Sequence, residues 1–176
     1  MNTLYLTVGI SGSGKSAFTS KTKELLNAVE VNADNIRKEF GDISDQSKNK
    51  EVFEKVDILI DENLKKSNVI LSNTNLHYSI IKKYAEKYPE SQIIVFLMKD
   101  SVSPNLCFER VSKDIENNVE RSNVPKEVVY KQWEKWATFY KTVLSEECIP
   151  NVSYFMVNNE FVVKPIKGNI KNVFEH

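Results

Sequence analysis

Short apolar runs alternate with amphipathic segments along most of the chain. The apolar runs predict strands at residues 3–8, 68–72 and 91–98, and the alternation of "VEVN" predicts a short strand at residues 29–32. Helical spacing predicts six helices, at about residues 15–27, 33–40, 44–66, 78–88, 104–116 and 126–146, with Ser44 or Asp45 capping the third. The stretch "VSYFMVNNEFVVKPI" predicts one or two further strands around an Asn-Asn turn. Because strands alternate with helices, we expect an α/β fold of three layers, with a mostly parallel sheet between helices.

The chain length fits one domain. The 176 residues can bury a sizeable core, and no linker rich in Pro or Gly divides them, so we expect a single domain over residues 1–176. The least regular stretch is "KDIENNVERSNVP", residues 113–125, which is polar and rich in Asn. We interpret it, with the helix before it, as a helical and mobile lid over about residues 104–125.

Charge and apolar length narrow the possible partners and location. Lys plus Arg and Asp plus Glu both number 24, so the formal net charge is zero and a nucleic-acid site must contact few phosphates. No apolar run approaches the roughly 18 residues of a membrane span, and the N-terminus does not resemble a signal peptide. We expect a cytoplasmic protein without a membrane partner, in which Cys107 and Cys148 stay reduced. The oligomeric state stays open.

The segment "GISGSGKS" carries the strongest chemical signal. It fits the pattern G-x-x-x-x-G-K-[ST], with a predicted strand before it and a predicted helix after it. Glycines let successive N–H groups turn toward one anion, and the following helix adds the positive end of its dipole. Lys15 is suited to the β- and γ-phosphates, and the Ser16 hydroxyl to Mg²⁺. The predicted phosphate-binding residues are Gly9, Ser11, Gly12, Ser13, Gly14, Lys15 and Ser16.

Other elements separate the classes of nucleotide-binding protein. An N-K-x-D element, typical of guanine-specific switches, is missing from the sequence. The strand "NVILS" runs into Asn73, where a motor ATPase usually has an Asp for Mg²⁺. These features favour a small kinase that uses ATP and Mg²⁺.

A second group of candidate residues lies in "VNADNIRK", after the second predicted strand. The carboxyl ends of parallel strands meet at the ligand crevice, so Asp34 is placed to take the proton of an attacking hydroxyl. Arg37 lies three residues on, on the same side of a helix, and can hold an anionic group of the acceptor. Alternatively, Asp34 is the N-cap of a short helix and Arg37 a solvated neighbour.

Four segments together resemble a known family. "LTVGISGSGKS", "VNADNIRK", "LSNTNL" and "CFERVSK" followed by "SNVP" are similar to segments of the kinase domain of the bacteriophage 5′-polynucleotide kinases, which are P-loop kinases. The resemblance covers about residues 3–140. It implies the P-loop kinase fold and transfer of the γ-phosphate of ATP to the 5′-hydroxyl of DNA or RNA, in the host cytoplasm if the chain is of phage origin.

The resemblance also assigns roles to individual residues. It places Asp34 on the general base, Arg37 on the residue that binds the acceptor phosphate, and Arg110 on the first lid arginine. Lys15, Mg²⁺ and Arg110 would neutralise the transferring phosphoryl group. "LSNTNL" corresponds to the third-strand motif, which implies that Asn73 and Asn75 contact the acceptor.

The sequence departs from this family at two site positions. The family carries an Asp where this chain has Asn73, and the second lid arginine falls on Asp114, which leaves Arg121 or Lys113 as its substitute. These departures keep other acceptors open: a hydroxyl on a modified base in DNA, a nucleoside or nucleotide, or a small metabolite. A regulatory module that binds a nucleotide without turnover is a further alternative.

Overall fold

A six-stranded sheet forms the centre of the protein. The computed structural model describes residues 1–41, 43 and 47–168. The strands are β1 (Leu4–Val8), β2 (Ala28–Val31), β3 (Asn68–Leu71), β4 (Ile93–Met98), β5 (Val152–Val157) and β6 (Val163–Lys167). They lie in the order β2-β3-β1-β4-β5-β6; the first five are parallel, and β6 pairs antiparallel with β5. The predicted mostly parallel sheet is confirmed, and the C-terminal stretch forms a hairpin.

Six helices connect or follow the parallel strands. They are α1 (Lys15–Thr22), α2 (Ala33–Phe40), α3 (Asn49–Leu64), α4 (Tyr78–Lys87), α5 (Pro104–Glu116) and α6 (Lys126–Ser145), with a short 3₁₀ helix at Lys99–Val102. The six predicted helices are therefore present, although α1 is shorter than predicted and gives way to turns after Thr22. The predicted caps of α3, Ser44 and Asp45, lie outside the described residues.

The two faces of the sheet are covered unequally. One face packs against α3, α4 and α6, which bury residues such as Val56, Ile81 and Phe139. The other face is covered by α1 through Phe18, whose ring meets Phe96 edge-on at 5.1 Å between centroids. Since apolar side chains from alternate strand positions serve each face, the arrangement has the three layers that the sequence predicts.

Helix α3 is fixed to α4 by a repeated pair of polar contacts. Asp57 accepts hydrogen bonds from Lys83 and Tyr84, and Asp61 accepts them one turn later from Lys87 and Tyr88. Together with the buried side of α3, these contacts fix the orientation of the helix. They therefore also fix the positions of the side chains that α3 presents to solvent.

Strand order places the candidate site. The chain runs from β1 to the edge strand β2 and back to β3, whereas β4 lies on the other side of β1. The connections therefore diverge beside the carboxyl end of β1, and ligands of open α/β sheets bind at such a point.

Within the described part of the chain, no helix combines the length and apolar character needed to span a membrane.

Candidate active site

A cleft of about 590 Å³ opens at the carboxyl ends of β1, β2 and β3. Its walls come from the loop after β1, the first turns of α2, helix α5 and the segment 117–125. Of the predicted site residues, the lining includes Ser11, Gly12, Gly14, Lys15, Ser16, Asp34, Arg37, Asn73, Arg110 and Arg121. One cleft thus brings most of the predicted phosphate loop together with Asp34 and with two of the predicted acceptor residues, Arg37 and Asn73.

The phosphate loop requires glycine at Gly12 for two independent reasons. Its φ is +81°, in the left-handed region, and a Cβ there would lie 2.1 Å from the carbonyl oxygen of Cys107 in α5. Such an overlap with backbone cannot be relieved by turning a side chain. The loop therefore lies directly against the first turns of α5.

Lys15 and Ser16 begin helix α1 at the floor of the cleft. The Lys15 ammonium donates a 2.7 Å hydrogen bond to the carbonyl oxygen of Ile10, and burial lowers the pKa of Lys15 to about 8. The Ser16 side chain is exposed to the cleft. The loop thus presents an amine, a hydroxyl and backbone N–H groups to the same space.

The donor set of the cleft fits a magnesium ion that arrives with a nucleotide. Among the residues that the structure describes, no three His, Cys, Asp or Glu side chains gather into a metal cluster. Mg²⁺ is commonly held by one or two protein oxygens together with substrate phosphates and water. The Ser16 hydroxyl supplies such an oxygen beside the phosphate loop.

Two distant side chains hold the backbone of the phosphate loop. Ser101 accepts a hydrogen bond from the Ile10 N–H at 3.2 Å, and Gln132 of α6 accepts one from the Ser11 N–H at 2.8 Å. Sequence reasoning missed both residues, because they lie 91 and 121 positions along the chain from their partners. No local motif marks a contact of this kind.

Asp34 and Arg37 form a bonded pair on α2. The Arg37 Nη1 lies 2.5 Å from the Asp34 Oδ1, and the Arg37 Nη2 donates to Asn49 at 2.9 Å. The Arg37 Nε is buried and, within the described residues, has no hydrogen-bond partner. Asp34 keeps 44% of its side chain exposed and faces the cleft. A hydroxyl in the cleft can therefore meet the Asp34 carboxylate, beside the positive charge of Arg37.

The N-cap of α2 is Asn32, so the alternative interpretation of Asp34 as a cap is wrong. The Asn32 Oδ1 accepts from the backbone N–H groups of Asp34 and Asn35, and its amide donates to Ser72. Arg37 is buried rather than solvated. Because Asn32 supplies the cap, the Asp34 carboxylate is not needed to cap α2.

The two asparagines of "LSNTNL" lie in different environments. Asn73 lines the cleft, and its Oδ1 accepts a 2.8 Å hydrogen bond from the Ala33 N–H at the start of α2. Asn75 is buried outside the cleft lining, has a φ of +50°, and donates to the carbonyls of Thr7 and Leu71. Asn73 thus orients α2, whereas Asn75 ties the loop after β3 to the sheet.

Arginines of the predicted lid are paired with acids. Arg110 of α5 lies 2.8 Å from Asp100 and donates to the Gly12 carbonyl at 3.3 Å. Arg121 lies 2.5 Å from Asp114, the position where the resembled family has its second arginine. Arg121 also lines the cleft, whereas Lys113 is exposed outside it. Arg121 is therefore the better placed of the two substitutes.

The segment after α5 crosses the cleft to α2. Glu120 forms a 2.9 Å ion pair with Lys38, and the Ser122 hydroxyl donates to the Ile43 carbonyl at 3.3 Å. The lid therefore covers the cleft in this structure. Its mobility stays a prediction.

Known proteins share this architecture. A family model described as an AAA domain matches residues 4–138. No curated protein matches the chain. A chain in the structure of the Pnkp1/Rnl/Hen1 RNA repair complex is similar with a TM-score of 0.70 and 22% identity, covering 98% of this chain and 50% of that one. This chain therefore spans about half the length of that match.

Two small-molecule kinases are similar over most of both chains. A gluconokinase from Sinorhizobium meliloti 1021 matches with a TM-score of 0.52 and 20% identity, covering 88% of this chain and 82% of its own. A deoxyadenosine kinase from M. mycoides matches with a TM-score of 0.56 and 14% identity, covering 90% and 92%. At such identities the likeness shows the fold, which is the α/β fold of P-loop kinases.

Replacing Asn75 tests whether it serves structure or the acceptor. We expect Asn75→Ala to lower the free energy of unfolding by about 1–3 kcal/mol, because two buried carbonyls lose their donor. Denaturant unfolding measures the change, and Asn159→Ala, in the exposed β5–β6 turn, is the control expected within about 0.5 kcal/mol of wild type. Unchanged stability with a raised KM for the acceptor would place Asn75 in the acceptor site instead.

Proton uptake on nucleotide binding tests the state of Lys15. Burial lowers its pKa to about 8, and bound phosphates raise it, so binding above pH 8 takes up a proton. Affinity should be full below pH 8 and fall as the pH rises above it. Calorimetry at pH 8.5 in two buffers of different ionisation enthalpy should report an uptake of about 0.8 proton by wild type. Lys15→Met is the control without uptake, and no uptake by wild type would contradict the lowered pKa.

Proposed function

Since the chain belongs to an AAA-domain family of P-loop kinases, matched over residues 4–138, we propose that it transfers the γ-phosphate of ATP to the 5′-hydroxyl of a polynucleotide. The observation that carries the proposal is the Asp34–Arg37 pair, which faces the same cleft as Lys15 and Ser16. A phosphate donor bound on the loop and a hydroxyl at Asp34 would thus meet within one cleft.

Asp34 acts on the acceptor in this proposal. Its carboxylate accepts the proton of the 5′-hydroxyl while that oxygen forms a bond to the γ-phosphorus and the bond to the β–γ bridging oxygen breaks, releasing ADP. Arg37 holds the Asp34 Oδ1 and so fixes the direction of the carboxylate. The Arg37 guanidinium lines the cleft and is suited to the phosphate that follows the terminal nucleoside.

The cations of the cleft act on the transferring phosphoryl group. Mg²⁺ held at Ser16 supplies charge neutralisation to the phosphates when bound. The Lys15 ammonium leaves the Ile10 carbonyl for the phosphates, and Arg110 and Arg121 approach from the lid side of the cleft. Since such transfer depends on positioning and on charge stabilisation, fixed cations at these places suit the reaction.

A nucleic-acid acceptor is supported by three further points. Four segments of the sequence resemble 5′-polynucleotide kinases, and one similar structure is that of an RNA repair complex. The zero net charge fits an enzyme that holds only the end of a strand. The acceptor can be DNA or RNA on this argument.

An acceptor other than a 5′ end is the second candidate, and the position of Asn73 favours it. Asn73 stands where the resembled family has a carboxylate, and its side chain is bonded to the start of α2. The acceptor wall is therefore different from that of the family. A modified base in DNA, a nucleoside, a nucleotide or a small metabolite would then take the place of the 5′ end.

Replacement of Asp34 tests its role as general base. We expect Asp34→Asn to lower kcat by about 10²–10⁴-fold, because the amide cannot accept the proton, while the nucleotide still binds on the loop. Glu39→Gln removes a carboxylate at the far end of the same helix and is the matched control, with kcat near wild type. Near-wild-type turnover by Asp34→Asn would remove Asp34 from the reaction.

A panel of acceptors separates the candidate functions. With γ-labelled ATP and Mg²⁺, we expect label on 5′-hydroxyl DNA or RNA and none on the same strands carrying a 5′-phosphate. Hydroxymethylated-base DNA with a blocked 5′ end, free nucleosides and gluconate serve as rival acceptors. Label on one of these alone would replace the 5′-end kinase by that activity, and label on none would leave a nucleotide-binding module.

A further inference from the structure

Two phenylalanines stand exposed beside the acceptor end of the cleft. Phe53 of α3 is 47% exposed and lines the cleft, and Phe40 at the end of α2 is 43% exposed. Single exposed apolar residues are common and need no explanation. These two differ because each lies next to cationic side chains and next to the proposed acceptor residues.

Cationic groups lie over both rings. The Arg37 guanidinium carbon is 6.0 Å from the centroid of Phe53. The ammonium groups of Lys48 and Lys55 are 5.5 Å and 5.9 Å from the centroid of Phe40. Aromatic rings interleaved with basic side chains are typical of surfaces that bind single-stranded nucleic acid, where rings stack on bases and cations follow the phosphates.

The two rings lie in succession away from Asp34. Asp34, Arg37 and Phe40 follow one another at three-residue spacing along α2, each turned about 60° around the helix from the one before. With a rise of 1.5 Å per residue, Phe40 lies about 9 Å beyond Asp34 along the helix axis. Phe53 contacts Arg37 between them. A strand that starts at Asp34 would meet Phe53 first and Phe40 next.

The helix that carries Phe53 is held rigidly. Its neighbours on α3, Val52 and Val56, are fully buried, and Lys55 is paired with Glu39 of α2. Arg37 is bonded both to Asp34 and to Asn49 of α3. A base that stacks on Phe53 would therefore be placed at a fixed position relative to the Asp34 carboxylate.

We infer that Arg37, Phe40, Lys48, Phe53 and Lys55 form a strand-binding strip, on which Phe53 stacks on the terminal base and Phe40 on the next. Arg37, which lines the cleft, takes the phosphate between these two nucleotides, and the lysines contact the phosphate that follows. The inference rests on the proposed function, and it makes the acceptor a single-stranded 5′ end of at least two nucleotides. A short strip of this kind needs no overall positive charge.

Acceptor length and base content test the strip. The acceptors are a nucleoside 3′-phosphate, a dinucleotide and a hexanucleotide with 5′-hydroxyls, and hexanucleotides that lack the first or the second base. We expect kcat/KM of wild type to rise with length. Phe53→Leu should lower it about 5- to 100-fold on acceptors with a first base and little on the one without. Phe40→Leu should act only where a second base is present.

Controls separate the strip from the chemistry. Ile58→Ala, on α3 and 54% exposed, should match wild type on every acceptor. The slope of log binding constant against log salt concentration, measured with the hexanucleotide, should weaken by about one unit in Lys48→Ala. It should stay unchanged in Lys66→Ala, just after the end of α3. Thermal unfolding checks that the variants fold.

The outcomes distinguish the strip from the reaction. Wild type could phosphorylate 5′-hydroxyl ends while the kcat/KM loss in both phenylalanine variants is independent of the bases and the length of the acceptor. That result overturns the strip alone. If wild type phosphorylates no 5′-hydroxyl end of any length, the proposed function and the strip both fall. Losses that follow the missing base at each position support both.

Discussion

The contact between the phosphate loop and the first turns of α5 sets the geometry of the cleft. Gly12 lies so close to the Cys107 carbonyl that no Cβ fits between them. Arg110, one turn further along α5, bonds to the Gly12 carbonyl and to Asp100. The donor loop and the base of the lid therefore form one packed unit, and the position of the lid arginine follows from a backbone contact.

The acceptor side is built by hydrogen bonds at the ends of β2 and β3. Asn32 caps α2 and donates a hydrogen bond to Ser72, while the Asn73 side chain accepts a hydrogen bond from the Ala33 N–H. These bonds satisfy the free N–H groups at the start of the helix, which would otherwise stay unpaired near the cleft. They also fix the direction of α2, so that Asp34 on its first turn faces the cleft opposite the phosphate loop. Capping and placement of the carboxylate are thus one structural feature.

Local spacing predicted the elements, the phosphate loop and the shared location of Asp34 and Arg37, because strand ends and helix turns decide these. It did not predict the hydrogen bonds that Ser101 and Gln132 accept from the loop N–H groups, because these bonds depend on tertiary packing. For Asn75, the family resemblance implied a contact with the acceptor, whereas a buried amide bonded to two carbonyls gives it a place in the fold. Residue type alone does not separate a polar side chain that binds a ligand from one that supports the backbone.

Most cations of the cleft are neutralised by acids before any substrate arrives. The pairs are Arg37 with Asp34, Arg110 with Asp100, Arg121 with Asp114 and Lys38 with Glu120. Such pairs hold long side chains in position and balance their positive charge with carboxylates, in keeping with the zero net charge of the chain. Lys15 differs, since its partner is a carbonyl and burial lowers its pKa to about 8. A phosphate therefore gains the most interaction energy at Lys15. At the arginines it competes with a carboxylate for the guanidinium, and this competition favours the ligand with the highest negative charge.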